Sequence, residues 1–430
     1  MEKRMVKCLV CGAVFEEGIE VCPVCGVGPE NFVPVESDHG IQFSLDTDEK
    51  VVILGTGIAA LSAATALRER NADCDILMLS NERALPYNRP MLTKNMLQKN
   101  GRDAFAVHGA SWYAERNIRL ITDEIVSSLD TERKLIGLSD DTTISYDKCI
   151  YALGARSFVP PLTGTHLPEA VTIRSLDDIE RIAKLITGIE SAVVIGGGVL
   201  GLEAAWELKK AGLAVTVLEA SERLLKRQLD LPASELLQSI AVKNDIQVRT
   251  DAITECIEGD EHVSGVRLKD GVLLPAQLVI VSTGVRANTK IAEDAGLTVK
   301  RAVVVNQYME TSAKNVWACG DCAEFDGVNY SIWPEATQMG ETAGANAAGE
   351  HMAYSNPLPG LTLNTMHTSL FAIGDVGVDP HQVYEVTRTC DENAKTMHTE
   401  YHVNGKLVGG ILIGDPSSME ALLSAMPARG

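Results

Sequence analysis

Four cysteines near the start of the chain stand in two matching devices, Cys8-Leu9-Val10-Cys11-Gly12 and Cys22-Pro23-Val24-Cys25-Gly26, with ten residues between them. A C-x-x-C turn brings two thiolates to one side of a tight loop, and the glycine that follows allows backbone a side chain would hinder. Two such turns facing each other make a tetrahedral site of four sulfurs, which suits iron or zinc. Two glycine clusters carry a different chemistry: Gly55-Thr56-Gly57-Ile58-Ala59-Ala60 and Gly196-Gly197-Gly198-Val199-Leu200-Gly201. The first glycine permits a tight turn and the second lets backbone amides approach a pyrophosphate. The small third residue, Ala60 or Gly201, allows close helix–strand packing. An acid past the next strand completes ribose recognition. Glu82, beside Asn81, fills that place in the first unit, and Glu219, 23 residues after Gly196, fills it in the second. A carboxylate at 219 accepts hydrogen bonds from a ribose 2′-hydroxyl and repels a 2′-phosphate, which favours NADH over NADPH. Arg223, Lys226 and Arg227 could reach a 2′-phosphate, but the preferred reading is a solvated basic helix start.

The elements around these residues have the required order. Lys50 to Leu54 is an apolar, β-branched run that reads as a buried parallel strand. An alanine-rich helix to about Glu69 and a strand from Asp75 to about Leu79 follow. The pattern recurs as a strand at 191–195, a helix to about Ala211 and a strand at 214–218. The fold class expected is α/β, with two Rossmann-like dinucleotide-binding units, an α+β C-terminal part and a small metal ribbon in front. Strand-like runs at 368–374, 383–389 and 396–413, then a helix near Met419–Ala425, make up the C-terminal part. Ile41, Phe43 and Leu45 alternate with polar residues, suggesting a short docking strand in the linker. That linker of about a dozen residues spans at most ~40 Å.

Composition narrows the function classes. The 430 residues are 45% hydrophobic, enough for buried cores, and carry a formal charge of −20. That surface disfavours a nucleic-acid partner, because such binding runs on phosphate neutralisation. The most apolar uncharged stretch, Val51 to Leu67, is short for a membrane span and is broken by glycine, serine and threonine. With no secretory signal visible, the cytoplasm is the expected compartment, where clustered cysteines serve metals or redox chemistry more often than disulfides.

Two dinucleotide units imply two dinucleotides, and FAD with NAD(P)H is a natural pair. Tyr151-Ala152-Leu153-Gly154-Ala155 and Val281-Ser282-Thr283-Gly284-Val285 resemble the paired crossover motifs of the two-dinucleotide flavoprotein reductases. Val316 to Glu324 resembles their second FAD motif, in which Asp321 is expected to hydrogen-bond the flavin's ribityl or diphosphate portion. Trp333-Pro334-Glu335-Ala336-Thr337-Gln338-Met339-Gly340 resembles the helix start beneath the flavin ring. Pro86-Tyr87-Asn88-Arg89-Pro90-Met91-Leu92-Thr93-Lys94 resembles a segment of the NADH:rubredoxin reductases and ferredoxin-reductase-like flavoproteins. The resemblance implies that Arg89 meets FAD phosphates, that Lys94 approaches the flavin N5 edge, and that Lys94 pairs with Glu203. Both are expected to tune the flavin rather than react. The cysteines of the disulfide-reducing branches are missing from 89–94. Cys319 and Cys322 are expected to be packing thiols, and the C-terminal histidines surface or strand residues.

The segment Val6 to Val35 resembles a shortened rubredoxin-like domain, which implies one iron at Cys8, Cys11, Cys22 and Cys25; a structural zinc ribbon is the alternative. The expected organisation is a metal domain at 1–36, a linker at 37–48, an FAD domain at 49–158 and 281–350, an NAD(P)H domain at 159–280 and an interface domain at 351–430. Electrons are expected to run from NADH through FAD to the iron, then to a redox protein of the rubredoxin, rubrerythrin or flavodiiron type. The other possibility is direct reduction of a separate rubredoxin or ferredoxin, with the zinc ribbon docking it.

Overall fold

The computed structural model describes residues 5–8, 14–20, 22, 28–29, 32–34, 41, 43–97, 101–356, 358 and 360–426. Two five-stranded parallel sheets carry the two glycine clusters. In the first, the order is Val316–Ala318, Lys148–Tyr151, Lys50–Leu54, Asp75–Leu79 and Ile118–Ile121. In the second it is Ala170–Val171, Leu278–Val281, Ser191–Ile195, Ala214–Leu218 and Ile246–Arg249. In both, the strand entering the glycine turn is central and buried on both faces, which is why it reads as an unbroken apolar run. A two-stranded antiparallel crossing, Ala155–Ser157 on Val285–Ala287, ties the two halves where the chain leaves and returns.

The helix Ile58–Arg70 after the first turn packs along Trp333–Ala347, and the two run in the same direction. A side chain on Gly340 or Gly344 would lie 2.2 Å from the carbonyl oxygen of Ala59 or Ala63, so the helices touch backbone to backbone. Their far ends are joined by Arg70, which donates to Glu350. The linker docks at this same far end. Leu45 N–H donates to Arg70 O at 3.0 Å, and Asn71 bonds Thr47 at N–H and hydroxyl. Residues 43–49 form no strand; the alternation reflects docking through backbone bonds.

A third sheet is antiparallel, in the order Gly360–Thr365, Thr368–Gly374, Lys406–Ile413, Thr396–Val403, Glu385–Asp391. The strand 360–365 was not expected, the last-but-two strand runs 385–391 rather than 383–389, and 396–413 is a hairpin rather than one run. Asn404 and Gly405 close it with φ of 53° and 72°, the two positive values that a type I′ turn requires. The helix Met419–Ala425 forms as expected.

At the N-terminus, Met5–Cys8 pairs antiparallel with Val14–Glu16 and Phe32–Pro34. Phe15 and Phe32 meet edge to face at 4.8 Å. No helix among the described residues is long and apolar enough to cross a membrane.

Candidate functional site

The two glycine turns are near copies. Gly55 has φ +117° and Gly196 φ +119°. A β-carbon on them would come within 2.2 Å of Ala152 O and 2.1 Å of Ser282 O, so the crossover segments lock each turn. Gly154 and Gly284, two residues further on in those segments, both have positive φ. Above Gly57 and Gly198 no atom lies within 4 Å of where a side chain would begin. Each turn therefore presents bare backbone at the start of a helix, the cradle a pyrophosphate needs. Ala60 is fully buried and Gly201 lies on the backbone of Gly196, so the third position is a packing contact in both.

The acids behave differently. Glu219 accepts from the N–H of Gly197 at 2.9 Å and of Ser221 at 2.8 Å, bracing the second turn. Glu82 instead accepts from Tyr87 Oη and Arg89 Nη2, each at 2.6 Å. Arg89 also donates to the backbone carbonyl of Arg174, so it braces the acid of the first unit. Burial pushes the Tyr87 phenol above its ordinary value. Arg223 and Lys226 are held by Glu222 in a turn, and the helix starts only at Leu231. The expected basic helix start is thus a salt-bridged loop. Its position is set by Asp230, whose side chain caps the helix at Ala233 N–H.

Two ion pairs join segments remote in sequence. Lys94 Nζ donates to Glu203 Oε1 at 2.5 Å, and Thr93 Oγ1 donates to the other oxygen. Glu203 is 3% exposed, so both its oxygens are satisfied inside the protein. The pair fixes the short helix Met91–Lys94 to the helix Val199–Lys210 that follows the second turn. Arg174 Nη2 meets Asp321 Oδ2 at 2.8 Å and lies beside Gly154. Arg174 escaped the sequence reading; its one signal is its place just before Ser175, the N-cap of Leu176–Leu185.

Trp333 is the first residue of the helix Trp333–Ala347. Glu335, in the same turn, is 4% exposed, and its Oε2 has no hydrogen-bond partner among the described residues. Burial pushes its carboxyl up to about 7. A carboxylate in a helix otherwise buried through Ala336, Met339, Gly340 and Ala343 is the signal that could have singled it out. Open space over the glycine turns, with the N-terminus of a helix behind each, fits a cradle shaped for a bound nucleotide. FAD would be held there by the 55–60 turn, Glu82, Asp321 and the start of Trp333–Ala347. NADH would be held by the 196–201 turn and Glu219.

Cys319 and Cys322 are buried, and burial raises both thiols, Cys322 to about 12. They are poor thiolates at neutral pH. Cys8, on the strand Met5–Cys8, and Cys22, outside the strands, are both buried, while Cys11 and Cys25 lie outside the described residues.

Residues 49–340 match the Pyridine nucleotide-disulphide oxidoreductase family, and the chain belongs to it. It is 32% identical over 370 residues to the NADH-rubredoxin oxidoreductase of Clostridium acetobutylicum, covering 86% of this chain and 92% of that one. A crystal structure of that enzyme superposes with a TM-score of 0.74 at 31% identity, over 89% of this chain and 95% of the other. The nitrite reductase [NAD(P)H] of Bacillus subtilis is 30% identical over 378 residues, which cover 87% of this chain. The chain spans about half the length of that protein and of the assimilatory nitrate reductase electron transfer subunit of the same organism.

Proposed function

We propose that the chain is an NADH-dependent flavoprotein reductase that passes electrons through FAD to an iron held by Cys8, Cys11, Cys22 and Cys25, and from there to a redox protein. The observation that carries the flavoprotein part is the buried Lys94–Glu203 pair, which links the segment after the first nucleotide turn to the helix of the second. Nucleotides held at these two turns would face the junction that this pair fastens. Bound FAD supplies conversion of a two-electron hydride into single electrons.

The residues need only position and shield the rings, because hydride transfer between them requires no general acid or base. Lys94 brings positive charge to the junction, and Glu203, held by Thr93, keeps it in place. Glu219 supports the preference for NADH, since both its oxygens face backbone N–H groups at the turn and its charge opposes a 2′-phosphate. The two C-x-x-C-G devices support a one-electron site on the same chain, where tethering would raise its effective concentration to roughly millimolar. The acceptor is a redox protein of the rubredoxin, rubrerythrin or flavodiiron type; of these, rubredoxin is the one named for the Clostridium acetobutylicum relative.

Metal analysis of the purified protein with its visible spectrum, followed by stopped-flow mixing with NADH, tests the route. The expected result is one iron per chain that reduces after the flavin at a rate matching turnover. One zinc per chain and a colourless ribbon would leave a reductase of a separate carrier. Iron that stays oxidised while the flavin is reduced would remove the internal relay.

A further inference from the structure

Residues 221–230 run from the acid of the second nucleotide turn to the helix Leu231–Lys243, and they lie against the turn itself. A side chain on Gly197 would come 2.5 Å from Leu224 Cδ2 and 3.1 Å from Glu219 Oε2. Leu224, Leu225 and Leu229 are buried. Leu225 takes φ +49°, uncommon for leucine, and Ser234 Oγ donates to Leu224 O at 2.8 Å. Asp230 caps the helix that follows. The backbone of the loop is thus pinned at several points. Its charged side chains stand beside Glu219, the acid that takes the ribose of a nicotinamide nucleotide.

Two of those side chains have the chemistry of a 2′-phosphate site, a guanidinium and an ammonium close together. Both are spent within the loop. Arg223 Nη1 donates to Glu222 Oε1 at 2.6 Å, and Lys226 Nζ donates to Glu222 Oε2 at 2.8 Å. Arg223 Nη2 donates to Lys226 O at 3.3 Å, and its Nε donates to Leu229 O at 3.5 Å. One carboxylate thus offers one oxygen to each cation, as a phosphate would. Arg227, next in the chain, is exposed and takes no part in this clamp.

We propose that Glu222 is a second determinant of nucleotide choice: it occupies Arg223 and Lys226 in place of a 2′-phosphate and so withholds them from NADPH. The two acids divide the task. Glu219 accepts from a 2′-hydroxyl and repels a 2′-phosphate. Glu222 removes the two cations that would offset that repulsion. NADPH gains their contacts only by breaking the clamp, whereas NADH needs neither cation. Glu222 is a positioning residue, since it acts through its neighbours and not on the nucleotide. Exposed ion pairs are weak and screened by salt, so loss of the one charge at Glu222 is enough to free both cations.

The inference rests on a nicotinamide nucleotide occupying the second turn and is independent of the metal site. The test is stopped-flow reduction of the flavin by NADH and by NADPH in the wild-type holoprotein, in Glu222→Gln, and in Glu222→Gln combined with Arg223→Ala and Lys226→Ala. Glutamine keeps the shape and removes the charge. The ratio of NADPH to NADH efficiency is expected to rise about tenfold in Glu222→Gln, the scale of one charge-assisted hydrogen bond. It should fall back in the triple variant. An unchanged ratio, or a rise that persists without the two cations, overturns the proposal. Calorimetric binding of adenosine 2′,5′-bisphosphate and of 5′-AMP reads the same site without flavin chemistry. In Glu222→Gln the bisphosphate alone should gain affinity, and equal changes for both compounds are equally fatal. A wild-type flavin that neither nucleotide reduces overturns nucleotide binding at the second turn, whereas reduction by NADH with a fixed ratio overturns only the role of Glu222.

Discussion

The two nucleotide turns share a backbone and differ in what lies behind them. The first is backed by Trp333–Ala347, which returns from nearly 300 residues downstream and packs its glycines onto Ala59 and Ala63. In Ile58–Arg70, Ala59 through Ala64 are all buried. The helix after the second turn leaves Leu200 43% exposed. At the second turn the acid is satisfied by backbone N–H groups of the turn itself, Gly197 and Ser221, whereas at the first Glu82 is satisfied by the side chains of Tyr87 and Arg89. A turn whose helix stays partly exposed suits a nucleotide that comes and goes. A turn sealed from behind by a second helix suits a resident one.

Gly55→Val and Gly196→Val should break this comparison most sharply. Each places a side chain against a carbonyl, but the first should yield protein without bound FAD. The second should retain FAD and lose NADH-driven flavin reduction by more than about a hundredfold, the scale of a misplaced reactant. Flavin content and stopped-flow rates distinguish them, and loss of FAD from both would show that the turns are not independent. Next comes the pair joining the two halves. Glu203→Gln leaves Lys94 without its counter-charge and should cost about 3–5 kcal/mol in urea unfolding. Adding Lys94→Met should return part of that cost, because neighbours couple.

The buried carboxyl in the helix behind the first turn also predicts a pH effect. The Glu335 carboxyl stands at about 7 in the folded chain, against an ordinary 4.5. A raised value favours the protonated form, so its contribution is fully present below 4.5 and is lost as pH rises through 7. The total is about 3 kcal/mol as an upper bound. FAD-free protein should therefore lose stability between pH 5 and 8, and Glu335→Gln should remove that part of the loss in urea titrations. The smallest effect belongs to Glu219→Ala, which should raise KM for NADH about tenfold, equivalent to one or two hydrogen bonds. It should also narrow the preference over NADPH, with flavin content unchanged.

Both turns and their strands were legible in the sequence because local rules place them: an apolar run, glycines at fixed spacing, and a helix. Pairings across long separations were not. Nothing near Arg174 in the chain points to Asp321, 147 residues away, or to the carbonyl it offers Arg89, 85 residues away. Those choices depend on which segments the fold brings together. Lys94 and Glu203, 109 residues apart, were connected only through family resemblance. The strand 360–365 was hidden by flanking prolines and polar residues. The hairpin after Val403 was readable, since Asn-Gly is a strong turn signal, but the apolar run on each side masked it.

The docking of Leu45 and Thr47 at the far end of Ile58–Arg70 fixes one end of a leash. That helix is about 20 Å long, and its glycine turn is at the opposite pole. Between Pro34 and Phe43 lie eight residues, which at full stretch span about 30 Å. If the N-terminal cysteines hold the proposed iron, this contour is an upper bound on how far it can sit from the docked end, and shortening 35–42 should slow an internal relay while leaving discharge to a separate carrier unchanged. Contour length then becomes a handle, independent of the flavin, that tells a closed loop from an outlet.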